Sequence, residues 1–183
     1  MTTKTMRFRV DRLASPVGDM LIVQDDRERL RALDWENYED RMIRLFDRYY
    51  GKGAVELIDG DGSGHVVEAL TRYISGDLDA IDQLEVETQG TLFQRRVWHE
   101  LRQIPCGETW TYGELARRIG KPRASRAVGL ANGANPIGIV VPCHRVIGAD
   151  HSLTGYGSGL ERKRWLLEHE GVSVDGSRQM SLV

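Results

Sequence analysis

The hydrophobic pattern of this chain changes period part-way along its length, and that change limits the fold more than any other feature. The early apolar residues fall in three short segments, Met6–Leu13, Met20–Gln24 and Leu30–Trp35. Ser15-Pro16-Val17-Gly18 and Asp25-Asp26-Arg27 separate them. Such clusters are turn chemistry, so the stretch reads as strands in a hairpin or meander. The spacing then becomes helical. Met42, Leu45, Phe46 and Tyr49 fall at i, i+3, i+4 and i+7, one apolar stripe, and Gly51-Lys52-Gly53 stops it. A second helix uses Val66, Val67, Leu70, Tyr73 and Ile74, with Ser63 as cap and Gly76 as stop. Residues 77–90 are acidic and irregular and read as a linker. Strands followed by helices predict an α+β fold.

Beyond the linker the chain is helical. Phe93, Val97, Leu101 and Ile104 form a stripe behind Thr91, a candidate N-cap, and Pro105-Cys106-Gly107 ends it. Thr111-Tyr112-Gly113-Glu114 has the spacing of a capping box. The short helix it starts breaks at Gly120-Lys121-Pro122, and another runs from about Ala124 to Asn132. Two short helices around a tight turn describe a helix-turn-helix. The second is thin: Ala124, Ala127, Gly129, Ala131, Gly133 and Ala134 surround one long cation, Arg126. Small residues let a backbone approach another surface closely, whether a neighbouring helix or a nucleic-acid groove.

Charge follows the same division. The chain of 183 residues has a net charge of −2. Residues 1–90 hold 12 Lys and Arg against 19 Asp and Glu, whereas residues 91–171 hold 12 against 7. A basic second half fits a polyanionic partner, and it also fits an ordinary solvated face. With 40% apolar and 28% charged residues the chain has material for a core and is not a disordered sequence. No apolar run nears the roughly 18 residues of a membrane span. Met1–Val10 carries Lys4, Arg7 and Arg9 without an apolar signal core, so a cytoplasmic location is expected. The two cysteines, Cys106 and Cys143, form neither a disulfide framework nor a C-x-x-C metal motif.

The residues that carry chemistry lie in Ile137–Ile147, I-G-I-V-V-P-C-H-R-V-I. Ile139-Val140-Val141 reads as a buried strand that Pro142 cannot continue. Cys143 and His144 then fall where the chain turns, within reach of each other directly or through one water. A thiolate is the nucleophile, and an imidazole held by a carboxylate raises its fraction. Glu170, at the end of the Leu160–His169 helix, is a candidate for that carboxylate. A buried structural cysteine beside a surface histidine is the plainer alternative.

This segment closely resembles the active-site signature of the methylated-DNA–protein-cysteine methyltransferases, the alkylguanine-DNA alkyltransferases. T-Y-G-E-L-A, R-A-V-G-L-A-N-G-A-N-P and G-Y-G-S-G-L-E-R-K-R-W-L-L-E-H-E-G resemble the family in order and spacing. Together these cover residues 91–171. W-E-N-Y-E-D-R-M resembles the bacterial Ogt-type branch. The resemblance implies a ribonuclease-H-like N-terminal domain over 1–90, a helical DNA-binding domain over 91–171, and a flexible tail over 172–183. It implies transfer of an alkyl group from oxygen 6 of guanine in DNA, or oxygen 4 of thymine, to Cys143, in one turnover. In this scheme His144 is the base, Glu170 orients it, Tyr112 donates to the departing guanine and Asn135 braces the turn before the cysteine. Tyr156 and Gly157 line the base pocket, and Arg126 fills the gap left by the flipped nucleotide. Ala127, Ala131, Gly133, Arg145 and Val146 complete the surface toward substrate and DNA. The partner is double-stranded DNA met in its minor groove, by a protein that is a monomer in solution and can cooperate between copies on DNA. No cofactor is needed.

Some departures matter. Relatives that bind zinc in the N-terminal domain use cysteines, and none precedes Cys106. Gly138 and Gly157 stand where relatives can carry Pro and Ser; the smaller residues either loosen the pocket or are silent variation. Trp98 and Trp165 read as core. Two rival readings remain: a protein that flips alkylated bases without repairing them, whose known examples lack the reactive cysteine, and a cysteine hydrolase using Cys143 and His144.

Overall fold

A computed structural model describes residues 5–174, and tertiary contacts divide the chain into two units. One comprises the chain up to Gly90 together with Pro136–Val140. The other comprises Thr91–Asn135 and the chain from Val141 onward.

The first unit is built on a four-stranded sheet in the order β3-β2-β1-β4. Strands β1 (Met6–Leu13), β2 (Met20–Gln24) and β3 (Leu30–Trp35) form the antiparallel meander at the bounds expected from the turn chemistry. The fourth strand, β4 (Val55–Asp59), pairs parallel with β1 and was not expected from the sequence. Parallel pairing needs a crossover, and helix α1 (Glu39–Tyr50) lies in the connection from β3 to β4. Its Met42 and Phe46 pack on Phe8, Val10, Leu21, Val23 and Ala32 of the sheet. All five residues of β2 are buried, so both faces of the sheet centre are covered. Helix α2 (His65–Ile74) buries Val66, Val67, Ala69, Leu70 and Tyr73. Gly64, not Ser63, is its N-cap, because the Ser63 hydroxyl is turned back to Asp61.

Two further expectations are corrected in this unit. The acidic segment 77–90 is not a loose linker. It contains a 3-10 turn, Leu78–Ile81, and its chain clasps the β3 edge: Leu30 N–H donates to Glu85 O and Glu87 N–H donates to Leu30 O, each at 2.9 Å. Arg29, ion-paired to Asp25 at 2.9 Å, also reaches Glu87 at 3.0 Å, so the acidic residues there complement sheet cations. Nor is Ile139-Val140-Val141 a strand. Ile137 makes an isolated bridge to Leu33, Ile139 adopts φ 66°, and the chain turns at once. The run is apolar because it is buried, not because it lies in a ladder. Gly138 N–H donates to Leu33 O at 2.9 Å, a bond that a Pro at this position lacks.

The second unit packs helices α3 (Leu92–Leu101), α4 (Tyr112–Arg118), α5 (Ser125–Gly133) and α6 (Leu160–His169) with a short parallel pair, β5 (Trp110–Thr111) on β6 (Val146–Ile147). Both expected caps form: Thr91 closes a capping box with Gln94, and Thr111 with Glu114. Helix α4 ends in a Schellman motif around Gly120 at φ 70°, with Lys121 N–H on Ala116 O at 2.8 Å and Gly120 N–H on Arg117 O at 2.9 Å. Trp98 is core, as expected, and its indole donates to Ala131 O at 2.8 Å. Trp165 is only half-buried and stacks on His169 at 4.7 Å. The start of the expected tail is packed: Val172 and Val174 lie against Ile147, Leu153 and Leu167. The remainder of that tail lies outside the described residues. Among the described residues no helix is long and apolar enough to cross a membrane.

Each capping box satisfies a backbone donor from each direction. Thr91→Ala and Thr111→Ala should each lower unfolding free energy by about 1 kcal/mol. Urea titration of the single and double variants checks this. The sites belong to different helices, so the two losses should add.

Candidate active site

The site is assembled by elements distant in sequence. The β5–β6 pair sets Trp110 opposite Val146 and Thr111 opposite Ile147. That pairing brings the start of α4, where Tyr112 sits, to the residues that follow Cys143. Cys143, His144 and Arg145 form one 3-10 turn after Pro142, closed by Arg145 N–H on Pro142 O at 3.0 Å. Asn135 is 2% exposed, and its Nδ2 donates to Val141 O at 2.8 Å. This bond clasps the two ends of the 136–140 loop and fixes the approach to the cysteine.

Below the turn lies a buried charge cluster. Glu170 caps the end of α6, and its Oε1 meets His144 Nε2 at 2.9 Å. Arg145 grips the same carboxylate through Nε and Nη2, both at 2.9 Å, and donates through Nη1 to Ile104 O at 2.6 Å. Burial pushes the Glu170 carboxyl up, but His144 and Arg145 more than offset this and hold it well below the usual carboxylate range. Burial pushes His144 down, and Glu170 only partly opposes that shift. At neutral pH the imidazole is therefore neutral beside an ionised carboxylate. A carboxylate accepts, so Nε2 carries the proton and Nδ1 is the basic nitrogen. Nδ1 is buried and has no hydrogen-bond partner among the described residues. It is an open acceptor on the residue that follows Cys143, which is 6% exposed and not in a disulfide.

Tyr112 stands on the other side of this chemistry. Its ring lies against Gly129 of α5, whose thinness makes room for it. Its hydroxyl donates to Thr154 O at 3.4 Å, a long bond, and burial raises its pKa, so it stays a phenol and a donor. Lys163, which the sequence reading missed, is fully buried and ties Val146 O at 2.5 Å to Thr154 O at 2.7 Å. Nothing in a run of E-R-K-R marks one lysine as buried. Tyr156 is half-buried and Gly157 exposed.

The helix-turn-helix presents Arg117, Arg118, Lys121, Arg123 and Arg126 as exposed cations. Ala127 and Gly133 are also exposed on α5, and so is Leu130, 71% exposed, which the sequence reading did not single out. Three residues expected toward substrate and DNA are buried. Ala131 is 3% exposed, with its carbonyl used by Trp98. Arg145 is 6% exposed, because the buried Glu170 charge needs it as a counterion. Val146 is fully buried on β6.

Comparison with known proteins agrees with this arrangement. Residues 92–172 match the family described as 6-O-methylguanine DNA methyltransferase, DNA binding domain, and residues 9–88 match its ribonuclease-like domain. A methylated-DNA–protein-cysteine methyltransferase of Shigella flexneri is 49% identical over 91% of this chain and 97% of its own. The chain belongs to the 6-O-methylguanine DNA methyltransferase family. Among solved structures, the crystal structure of Mycobacterium tuberculosis OGT in complex with DNA is 41% identical and superposes with a TM-score of 0.70, over 90% of this chain and 92% of that one. The O6-methylguanine-DNA methyltransferase of Pyrococcus kodakaraensis is 28% identical with a TM-score of 0.71, over 90% and 99%. This methyltransferase thus has the family's two-part organisation and a buried cysteine turn backed by a His–Glu–Arg cluster.

The cluster makes the fold acid-sensitive. Glu170 and His144 both titrate lower when folded than unfolded, so below an unfolded His pKa of about 6.5 the unfolded state binds more protons. Stability should be full above that pH and fall as the pH drops toward 4. Urea midpoints at pH 7.5, 6 and 5 check the sign. His144→Asn should flatten the upper part of the decline, between about pH 6.5 and 5.

Proposed function

We propose that this protein repairs alkylated DNA by direct reversal, moving the alkyl group from oxygen 6 of guanine onto Cys143. The observation that carries the reading is the unpartnered Nδ1 of His144, a base held in one tautomer by Glu170 beside the only cysteine in the buried turn. His144 takes the thiol proton, directly or through one water. The sulfur displaces the base at the alkyl carbon, so a carbon–sulfur bond forms as the carbon–oxygen bond breaks. The departing guanine keeps the electron pair and recovers a proton at a ring nitrogen, with Tyr112 as donor. Oxygen 4 of thymine offers the same alkyl carbon to the sulfur. The thioether has no ready route to hydrolysis, so each molecule reacts once.

The target atom lies inside the base stack, and flipping a damaged base costs a few kcal/mol. Arg126, the long exposed cation on the thin face of α5, fills the vacated space with α5 in the minor groove, and the remaining cations of the helix-turn-helix hold phosphates. Tyr156 and Gly157 line the pocket that receives the base. The active form is a cytoplasmic monomer, with the alkyl-transfer domain over residues 91–171 behind an N-terminal domain over 1–90.

Intact-mass measurement after mixing with O6-methylguanine duplex tests the proposal. One methyl mass should appear, on the peptide containing Cys143. Label on Cys106, or repeated turnover, contradicts it. Cys143→Ala should abolish transfer and keep DNA binding.

Arg126 is tested separately. Arg126→Ala should slow transfer from duplex DNA about 10-fold or more while leaving transfer from the free alkylated base nearly unchanged, since only the duplex needs a base extruded. Equal losses on both substrates would remove the wedge role.

A further inference from the structure

One of the five helix-turn-helix cations is built differently from the rest. Arg118, in the last turn of α4, lies over the indole of Trp110, with its Cζ 3.7 Å from the ring centroid. At that distance the flat face of the guanidinium rests on the ring. Trp110 is buried, and its strand β5 is paired to β6 opposite Val146, so the ring is a fixed floor and not a mobile side chain. Glu100 of α3 stands beside the stack, its Oε1 4.0 Å from Arg118 Nη1. That is too long for a hydrogen bond. The carboxylate orients the fork and leaves its N–H groups open. Among the described residues no carbonyl or carboxylate accepts from them, and the side chain is 51% exposed. Arg117, Lys121, Arg123 and Arg126 rest on no ring and make no ion pair among the described residues.

A long cation that grips a phosphate gives up rotamer freedom, and that loss is subtracted from its affinity. An arginine already flat on a fixed ring has given up most of that freedom before the ligand arrives. Its N–H groups lie in the plane of the fork, away from the ring, in the geometry that meets two phosphate oxygens at once. A side chain serving only to brace α4 against β5 has no need of open donors facing solvent. We propose that Arg118 is a preorganised clamp for one backbone phosphate of the DNA, and that Trp110 is the positioning residue that holds it ready. This deepens the DNA-binding reading and rests on it. A phosphate contact carries no sequence information, so the clamp acts on damaged and undamaged duplex alike.

The test measures binding of the full chain to a short undamaged duplex over a range of salt concentrations. Arg118→Ala should weaken binding about fivefold and lower the salt slope by about one. Trp110→Leu leaves the charge in place, so the slope should hold while binding weakens about threefold. The two losses should not add: in the Trp110→Leu background, Arg118→Ala should cost only about twofold. Lys121→Ala removes a cation that has no ring beneath it and should cost the same in both backgrounds. Trp110→Phe restores a ring face and should recover most of the affinity.

An unchanged slope in Arg118→Ala, with a lower urea midpoint, would make the stack a brace and overturn the proposal. Additive losses overturn it too, as does a Lys121→Ala loss that shrinks in the Trp110→Leu background. If Trp110→Leu does not fold, Arg118→Lys decides, because it keeps the charge and loses the planar fork. Wild-type affinity in that variant overturns the clamp equally. A wild-type protein that does not bind duplex at all sinks the DNA-binding reading, and this proposal with it.

Discussion

The site depends on one buried carboxylate. Glu170 carries a full negative charge where water does not reach, a state that survives only with partners. Arg145 supplies the counter-charge with two bonds and is itself fastened to Ile104 O. The imidazole is then free to stay neutral. Had Arg145 been absent, the proton on His144 would be the sole compensation for Glu170, and the ring would be charged and useless as a base. The guanidinium thus separates two roles that a bare His–Glu pair would merge: charge balance below, and an open lone pair on Nδ1 above.

Arg145 also shows why part of the site was not legible in the sequence. An arginine directly after C-H, in a basic half of a DNA-binding chain, reads as a phosphate or substrate contact. Its inward direction depends on the 3-10 turn, which points consecutive side chains around an axis and sends His144 and Arg145 to the same carboxylate. The cysteine, the histidine and the capping box of Tyr112's helix were legible, because each has a local signature or a spacing, whereas Glu170 was named through the resemblance, its place beside His144 not following from the sequence. The burial of Lys163 was not legible, because it is defined by what surrounds the side chain in space.

The fold divides in the same way. Strands β1 to β3 could be read at their bounds because turn residues punctuate them. Strand β4, V-E-L-I-D, could not: it is a half-exposed edge with two acidic residues in five and pairs with a strand nearly fifty residues earlier. The run Ile139-Val140-Val141 fails in the opposite sense. Its β-branched composition suits a strand, yet Ile139 at φ 66° reverses the chain, and Pro142 follows three residues later. Burial and the Asn135 clasp prevail there over local preference.

Lys163 holds the chain around Thr154 in place. Its ammonium joins β6, just past the cysteine turn, to the loop that leads to Tyr156, and it shares the Thr154 carbonyl with the Tyr112 hydroxyl. Burial pushes its pKa down to about 8, so the charge is held at a cost and is close to being shed. The clamp does not need that charge. A neutral amine still has two N–H donors, enough for the two carbonyls it holds. Tyr112, by contrast, holds Thr154 O only at 3.4 Å and competes there with the stronger donor. The lysine therefore keeps the loop in place whether or not the tyrosine hydroxyl stays on Thr154. The loop and the tyrosine hydroxyl are decoupled, and the loop does not depend on the hydroxyl for its place.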